Sequence, residues 1–232
     1  EGMLFTMVAR SPAYGKTLGS VDDTAALKVN GVKKVIKLKN SVAVLATSTW
    51  AAKKGRDALV IQWNTTGKLE NTSEHFAAFK EMLAKGASSF ARNDGDVDAV
   101  KQNAKKVLDV FYEVPALSHG QMEPLNFFAD VQDGKADLYG PTQVPEQVKK
   151  EVSEQLGIKL ENITIGVPRQ GGGFGRKLMS DNGLEAALIS AAAQSPVQVQ
   201  WTREDDMQND FYRPAEMYRY RAAISNDELL SW

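Results

Sequence analysis

Residues 169–177 read Arg-Gln-Gly-Gly-Gly-Phe-Gly-Arg-Lys, and the rest of the chain can be interpreted around them. Before this stretch, branched residues alternate over 163–167, which is the period of a β-strand. After it, Asp181 or Asn182 is predicted to cap a helix. Glycine offers no side chain for packing and costs unfolded-state entropy. We therefore expect this strand-to-helix loop to bring backbone N–H groups close to a ligand.

Composition narrows the class of protein. The 232 residues are 43% hydrophobic, enough for one or two domains with a real core. A net charge of −1 gives no bias toward nucleic acid or acidic membranes. No apolar run reaches the roughly 20 residues of a membrane helix. The chain has no cysteine, which excludes disulfides, thiolate metal sites and iron–sulfur clusters held by this chain, and leaves periplasm and cytoplasm equally open.

The hydrophobic pattern predicts a mixed α+β chain. Short strands and helices alternate over the first 65 residues or so as a compact α/β unit, and residues 64–69 read as a linker. Strands are predicted at 3–10, 32–38, 41–46, 58–63, 110–115, 127–131, 136–139, 163–167, 197–201 and 218–224. Helices are predicted at 22–29, 50–54, 73–85, 96–108, 145–156 and 182–191. Residues 203–206 are predicted to form a solvated loop. Both ends of the chain enter or leave apolar strands abruptly, so we expect a fragment.

The glycine run departs from the common nucleotide motifs. A Walker loop needs Ser or Thr after its Lys, whereas Leu178 follows Lys177 here. The spacing Gly-Gly-Gly-Phe-Gly also differs from the dinucleotide fingerprint G-x-G-x-x-G. Two interpretations stay open. The loop is a structural turn, or it binds an anion or cofactor whose negative charge Arg176 and Lys177 neutralise.

Isolated polar residues carry similar alternatives. His119 has no second ligand at metal-pair spacing, which favours a structural role. Glu123 can be a base, or a buried carboxylate whose hydrogen bonds pin a turn. Arg213 can bind a carboxylate or phosphate, or tie two loops together. No Gly-x-Ser-x-Gly elbow supports a serine hydrolase.

Several of these segments together resemble one family. They are His-x-x-Met-Glu-Pro at 119–124, Pro-Thr-Gln-Val-Pro at 141–145, Gly-Gly-Gly-Phe-Gly at 171–175, and Asp210 followed by Tyr-Arg-Pro at 212–214. The set resembles the molybdenum hydroxylases of the xanthine oxidase and aldehyde oxidoreductase family, most of all the beta subunit of isoquinoline 1-oxidoreductase-type enzymes. By this resemblance, residues 1–67 are an α/β hammerhead domain. Residues 68–232 are then the N-terminal, incomplete portion of a molybdopterin-binding domain.

The resemblance implies a cofactor, a site and a partner. The cofactor is molybdenum–molybdopterin, in its cytosine dinucleotide form, and its dithiolene supplies the sulfur ligands. The complete enzyme hydroxylates an N-heterocyclic aromatic or an aldehyde with water-derived oxygen. Electrons pass to iron–sulfur clusters on a small partner subunit. The implied cofactor-binding residues are Gly172, Gly173, Phe174, Gly175 and Arg176.

Departures from the family pattern limit the assignment. The family's base glutamate matches no residue here, so no catalytic residue and no metal ligand is assigned, and the fragment alone is expected to be inactive. Leu178 stands where purine-oxidising relatives carry a substrate-gripping Glu, which argues for a less polar heterocycle or an aldehyde. Leu117 replaces a Gln that donates to the metal's oxo group, a role that Gln121 is a candidate to fill. A non-catalytic anion-binding or assembly module and a nucleotide-dependent enzyme are the alternative functions.

Overall fold

The computed structural model describes residues 2–232, and these divide into two compact units. Unit 1 contains the chain up to Leu69 together with Ser118–Phe211. Unit 2 contains Glu70–Leu117 and Tyr212–Trp232. Helices and strands are mixed along the chain, which confirms the predicted α+β class.

The strands in chain order are β1 (Leu4–Arg10), β2 (Lys16–Asp22), β3 (Val32–Lys37), β4 (Ser41–Ala46), β5 (Val60–Thr65), β6 (Lys106–Val114), β7 (Asn126–Gln132), β8 (Lys135–Tyr139), β9 (Ile163–Gly166), β10 (Val197–Gln200), β11 (Glu216–Ser225) and β12 (Glu228–Ser231). The α-helices are α1 (Thr24–Leu27), α2 (Thr49–Asp57), α3 (Thr72–Lys85), α4 (Val97–Asn103), α5 (Pro145–Leu156), α6 (Asp181–Ala193) and α7 (Arg203–Gln208). Short 3₁₀ turns occur at Leu160–Asn162 and Arg176–Leu178.

Unit 1 is built on a seven-stranded mixed sheet with the order β3-β4-β1-β10-β7-β8-β9. Strand β1 pairs parallel with β10, Leu4 opposite Val197, and antiparallel with β4. The sheet therefore takes strands from both sides of the boundary predicted between residues 67 and 68. The division into a hammerhead domain and a cofactor-binding portion stays a prediction.

The core of unit 1 lies where α5 and α6 pack against the sheet. Helix α6 contacts β7, and its Ile189 is completely buried, as are Phe127 of β7 and Val148 of α5. Strand β9 lies at the edge of the sheet, and the chain runs from it through the glycine stretch into α6. The glycine stretch is thus anchored to the core at both ends, as the strand-loop-helix reading predicted.

Unit 2 contains the antiparallel sheet β12-β11-β6 with helices α3 and α4. Asn71 caps α3 and Asp96 caps α4 through their side-chain oxygens, and Gly86 ends α3 as predicted. Within residues 2–232, none of the helices is both long enough and apolar enough to cross a membrane.

Three local predictions were wrong. Residues 203–206 are not a solvated loop but most of α7, because Thr202 and Asp205 form a reciprocal capping box. The helix predicted to run to residue 108 ends at Asn103, and the residues beyond it pair with β11 instead. Asp181 is the first residue of α6 rather than its cap, since Arg176 binds its carboxylate.

The packing of α6 yields a stability prediction at Gly183. A Cβ at this position would lie 2.7 Å from Val148 Cγ1 and 3.2 Å from the Phe127 ring. Gly183→Ala gains about 1 kcal/mol of helix propensity, but overpacking costs about 1–3 kcal/mol. We expect a net loss in the free energy of unfolding, measured by urea denaturation.

Val148→Ala provides the matched control, because it removes the atom that the new methyl group meets. Alone it should cost about 2 kcal/mol through the cavity it leaves. In the double variant the two costs should be less than additive. Additive costs would show that the contact between Gly183 and Val148 is not limiting.

Candidate functional site

The glycine loop, defined as residues 171–175, turns sharply at its exposed end. Phe174 has φ 51° and Gly175 has φ 97°, and a positive φ at a bulky residue such as Phe is strained. The Phe174 side chain is 71% exposed, and its ring folds back over Gly172, where a Cβ would lie 2.6 Å from it. The loop therefore presents peptide and one aromatic ring on its outer side.

The inner side of the loop is occupied by the protein's own side chains. A Cβ on Gly171 would lie 2.5 Å from the Cβ of Glu123, and one on Gly173 would collide with the Gln143 amide. At these two positions the missing side chains make room for the chain itself. At Gly175 the only groups near the Cβ position are atoms of the His119 ring, at 3.5 and 3.8 Å, among the described residues.

Arg176 anchors the loop from beneath. Its guanidinium forms a bidentate pair with Asp181, at 2.8 and 2.7 Å, and its Nε lies 3.1 Å from Asp210 Oδ1. Trp201 and Phe211 lie over the guanidinium at 5.6 and 5.0 Å. Burial acts to lower the pKa of Arg176, but Asp181 and Asp210 outweigh it and raise the pKa. The side chain is fully buried as a permanent cation.

Lys177 is also fully buried, and it pairs with Glu123 at 2.7 Å. The same carboxylate oxygen accepts the Gly171 N–H at 3.1 Å. Burial acts to raise the pKa of Glu123, but the hydrogen bonds from Lys177 and Gly171 outweigh it and hold the pKa below its ordinary value. Of the two interpretations of Glu123, these contacts fit a carboxylate whose hydrogen bonds hold a turn in place, although the side chain is one third exposed.

These contacts correct one expectation about charge. Arg176 and Lys177 were predicted to neutralise a ligand, but both are buried and matched by Asp181, Asp210 and Glu123. Four of the five predicted cofactor-binding residues, Gly172 to Gly175, lie on the loop itself. The fifth, Arg176, lies behind it.

Two buried acids support the segment that carries His119. Asp210 accepts hydrogen bonds from the backbone N–H of His119 at 2.5 Å and lies 3.0 Å from its Nδ1. Asp206 accepts from Gln121 Nε2 at 2.7 Å, and burial raises the pKa of Asp206 despite Arg203 beside it. The donor of Gln121 is therefore engaged inside the protein, which weakens its candidacy as a donor to a bound group.

A separate cavity of about 370 Å³ lies beside the Arg176 anchor. Glu185 and Arg10 form an ion pair in its wall, the Arg10 guanidinium stacks 3.6 Å from the Trp201 ring, and Trp201 Nε1 donates to Glu185 at 3.2 Å. Burial raises the pKa of Glu185. These polar and charged groups pair with one another, so their arrangement in the cavity wall does not require a ligand.

Sequence reasoning missed most of the residues that surround Arg176. Asp181 was interpreted as a helix cap and Trp201 as the end of a strand, and neither was linked to Arg176. The only available signal was Asp210, which belongs to the quoted family segment. Arg213 ties two segments of unit 2 through its backbone, which pairs with Leu117 in both directions. Within residues 2–232, no three His, Asp or Glu side chains are grouped so as to hold a metal ion.

The sequence of this chain is similar to those of known proteins. The chain is 32% identical to a membrane-bound aldehyde dehydrogenase [pyrroloquinoline-quinone] of Gluconacetobacter polyoxogenes, over 100% of this chain and 31% of that protein. It is 29% identical to isoquinoline 1-oxidoreductase subunit beta of Brevundimonas diminuta, over 96% of this chain and 30% of that protein. The chain thus spans about a third of the length of these relatives.

The fold also matches a solved structure. Aldehyde oxidoreductase from Desulfovibrio gigas superposes with a TM-score of 0.74 over 97% of this chain and 30% of that chain, at 14% identity, which establishes similarity of fold alone. The family profile of the molybdopterin cofactor-binding domain matches residues 80–231, more than half of the chain. The chain therefore belongs to the molybdopterin cofactor-binding domain family, that of the large subunits of molybdenum hydroxylases.

Proposed function

We propose that the glycine loop forms one wall of a molybdopterin site, and that the complete protein is a molybdenum-dependent oxidoreductase. The observation that carries the proposal is the exposed Phe174 on the outer side of the loop, next to Gly175 and within the segment that matches the cofactor-binding family. The inner face is filled by Glu123 and Gln143, so a ligand approaches from the outer side only.

The residues of the loop fit a large, partly planar cofactor. We assign Gly172, Gly173, Phe174 and Gly175 as its contacts, through backbone N–H groups and the face of the Phe ring. Arg176 belongs to the site as a support, because its donors are turned inward to Asp181 and Asp210. Its charge holds the loop in place rather than meeting the cofactor.

When bound, the molybdenum cofactor supplies a two-electron oxidation that uses water as the source of oxygen. The chain's own residues orient and shield it. The Phe174 ring lies over Gly172 and shields that part of the loop peptide from water. The buried ion pairs behind the loop fix its position, so that its peptide groups are preorganised for binding.

Similarity to known proteins also suggests a substrate, a form of the cofactor and an electron acceptor. We propose an N-heterocyclic aromatic or an aldehyde as the substrate, because an isoquinoline oxidoreductase and an aldehyde dehydrogenase are among the similar proteins. We further propose the cytosine dinucleotide form of the cofactor, and electron transfer to iron–sulfur clusters on a small partner subunit. Within the chain, residues 1–67 are proposed as the hammerhead domain and 68–232 as the first portion of the cofactor-binding domain.

A non-catalytic anion-binding module on the same loop is less well supported. An anion site needs unmatched positive charge or converging donors. Here Arg176 and Lys177 are both buried in ion pairs with the protein's own acids. A neutral peptide surface suits a cofactor bound through hydrogen bonds and shape.

Gly175→Ala in the complete protein tests the proposed site. The Cβ adds a methyl group to the outer side of the loop, at a residue with φ 97°. We expect molybdenum and pterin content per polypeptide to fall about tenfold or more, since crowding and backbone strain of about 1–3 kcal/mol act at the contact surface. Metal analysis and pterin fluorescence measure the result.

Gly157→Ala is the matched control, because Gly157 ends α5 with φ 68° and has open space around its Cβ position. It should carry comparable backbone strain and keep its molybdenum. Equal loss of metal in both variants would argue against the loop as the site. Complete wild-type protein, produced in a molybdenum-replete host, that contains no molybdenum would overturn the proposed function.

Glu123→Gln tests how the loop is held. Glutamine keeps the size of the side chain but leaves Lys177 buried without an anionic partner. At pH 7 we expect the free energy of unfolding to fall by about 1–3 kcal/mol, less than for a fully buried pair because Glu123 is partly exposed.

The pH dependence of this loss has a definite sign. The folded-state pKa of Glu123 lies below its ordinary value of 4.5. The extra free energy of unfolding that ionised Glu123 gives the wild type is therefore complete above pH 4.5, and it is lost as the pH falls through the folded-state pKa. Urea denaturation at several pH values measures it. Glu154→Gln, at an exposed surface pair with Lys150, should change stability by less than about 0.5 kcal/mol. A Glu123→Gln loss that does not shrink in acid would contradict the ion-pair explanation.

A further inference from the structure

His119 is held in a fixed orientation by Asp210. Both carboxylate oxygens of Asp210 lie 3.0 Å from Nδ1 of the ring, and Oδ2 also accepts the backbone N–H of His119. Asp210 is 1% exposed and lies against the Arg176 guanidinium, so it is held as an ion-pair partner. An ionised carboxylate only accepts hydrogen bonds. Nδ1 of His119 therefore carries the proton that points at Asp210.

This orientation leaves the other ring nitrogen facing the glycine loop. With the proton on Nδ1, a neutral imidazole presents a lone pair at Nε2. Nε2 lies 3.5 Å from the Cβ position of Gly175. The His119 side chain is 21% exposed, so the ring is largely but not completely enclosed.

The arrangement exceeds what a structural histidine requires. Asp210 already satisfies Nδ1 and the backbone, which is enough to fix the segment. Gln121, two residues along, has its donor engaged by Asp206 and lies buried. Of these two side chains, His119 is the one whose Nε2 lies beside Gly175 of the glycine loop.

We propose that His119 is a cofactor-contacting residue, which accepts a hydrogen bond through Nε2 from an N–H or O–H group of the bound molybdopterin cofactor. Asp210 acts as a positioning residue, because it sets the tautomer and the direction of the ring. This inference rests on the proposed function and adds to it a side-chain contact opposite the peptide of the glycine loop.

Chemical protection tests the contact on the complete wild-type protein. Diethyl pyrocarbonate acylates unprotonated imidazole nitrogens, and the sites are located by peptide mass mapping. The protein is purified with its cofactor and, separately, from a host that cannot make the cofactor. Bound cofactor should slow modification of His119 about tenfold, as a hydrogen bond of ordinary strength and loss of access imply. His75, with 43% of its side chain exposed in unit 2, serves as the internal control and should react equally in both samples.

Two substitutions then separate contact from support. His119→Asn places an amide donor near the position of Nδ1, so it can keep the bond to Asp210, but it has no group at the position of Nε2. It should release pterin about tenfold faster on dilution while its melting temperature stays near that of the wild type. His119→Gln reaches the position of Nε2 and should restore part of the retention. His75→Asn should leave retention unchanged.

The outcomes are distinguishable. Equal modification of His119 in samples with and without cofactor, with molybdenum content confirmed, would overturn the inference and leave the proposed function standing. Unchanged pterin retention in a folded His119→Asn variant would do the same. Wild-type protein that carries neither molybdenum nor pterin from a competent host would overturn the proposed function, and the inference with it. If His119→Asn fails to fold, the protection measured on the wild-type protein decides.

Discussion

Burial of two adjacent cations behind the glycine loop is the constraint on which the site depends. Arg176 and Lys177 are both fully buried, and an unmatched buried charge costs several kcal/mol. The fold meets this requirement with Asp181, Asp210 and Glu123, which come from three separate segments of the chain. Because each pair needs close geometry, together they determine where the loop lies relative to the sheet and α6.

The consequence for binding is a loop with a nearly neutral outer face. Arg176 and Lys177 are paired with acids inside the protein, so we propose that recognition at this face relies on peptide groups, on the Phe174 ring and on Nε2 of His119. The glycines of the loop have different surroundings and therefore different roles. Gly171 and Gly173 make room for Glu123 and Gln143, while the Cβ position of Gly175 faces the His119 ring at 3.5 Å. In this loop, glycine therefore serves the packing of protein side chains beneath the loop as well as the approach of a ligand from outside.

The positions of the errors made from sequence are informative. Local signals worked where the structure depends on nearby residues: the strand and helix around the loop, and the ends of α3 and α5, which are followed by glycines. They failed where the partner that a side chain binds in the folded protein decides the outcome. The acidic run at 203–206 resembles solvated loop, but a capping box turns it into a helix and Gln121 and Arg203 bind its Asp206. Asp181 resembles a cap, but Arg176 claims its carboxylate.

The sequence by itself determined the class of fold, the location of the glycine loop between strand and helix, and the family, since these rest on periodicity and on a motif set that survives in linear order. Only the tertiary structure decided that Arg176 supports the loop from behind, that Glu123 pairs with Lys177, and that His119 lies beside Gly175. The reason is physical: each of these depends on an electrostatic contact between residues that are 5 to 91 positions apart. No local sequence pattern indicates which acid will lie near which cation once the seven-stranded sheet has formed.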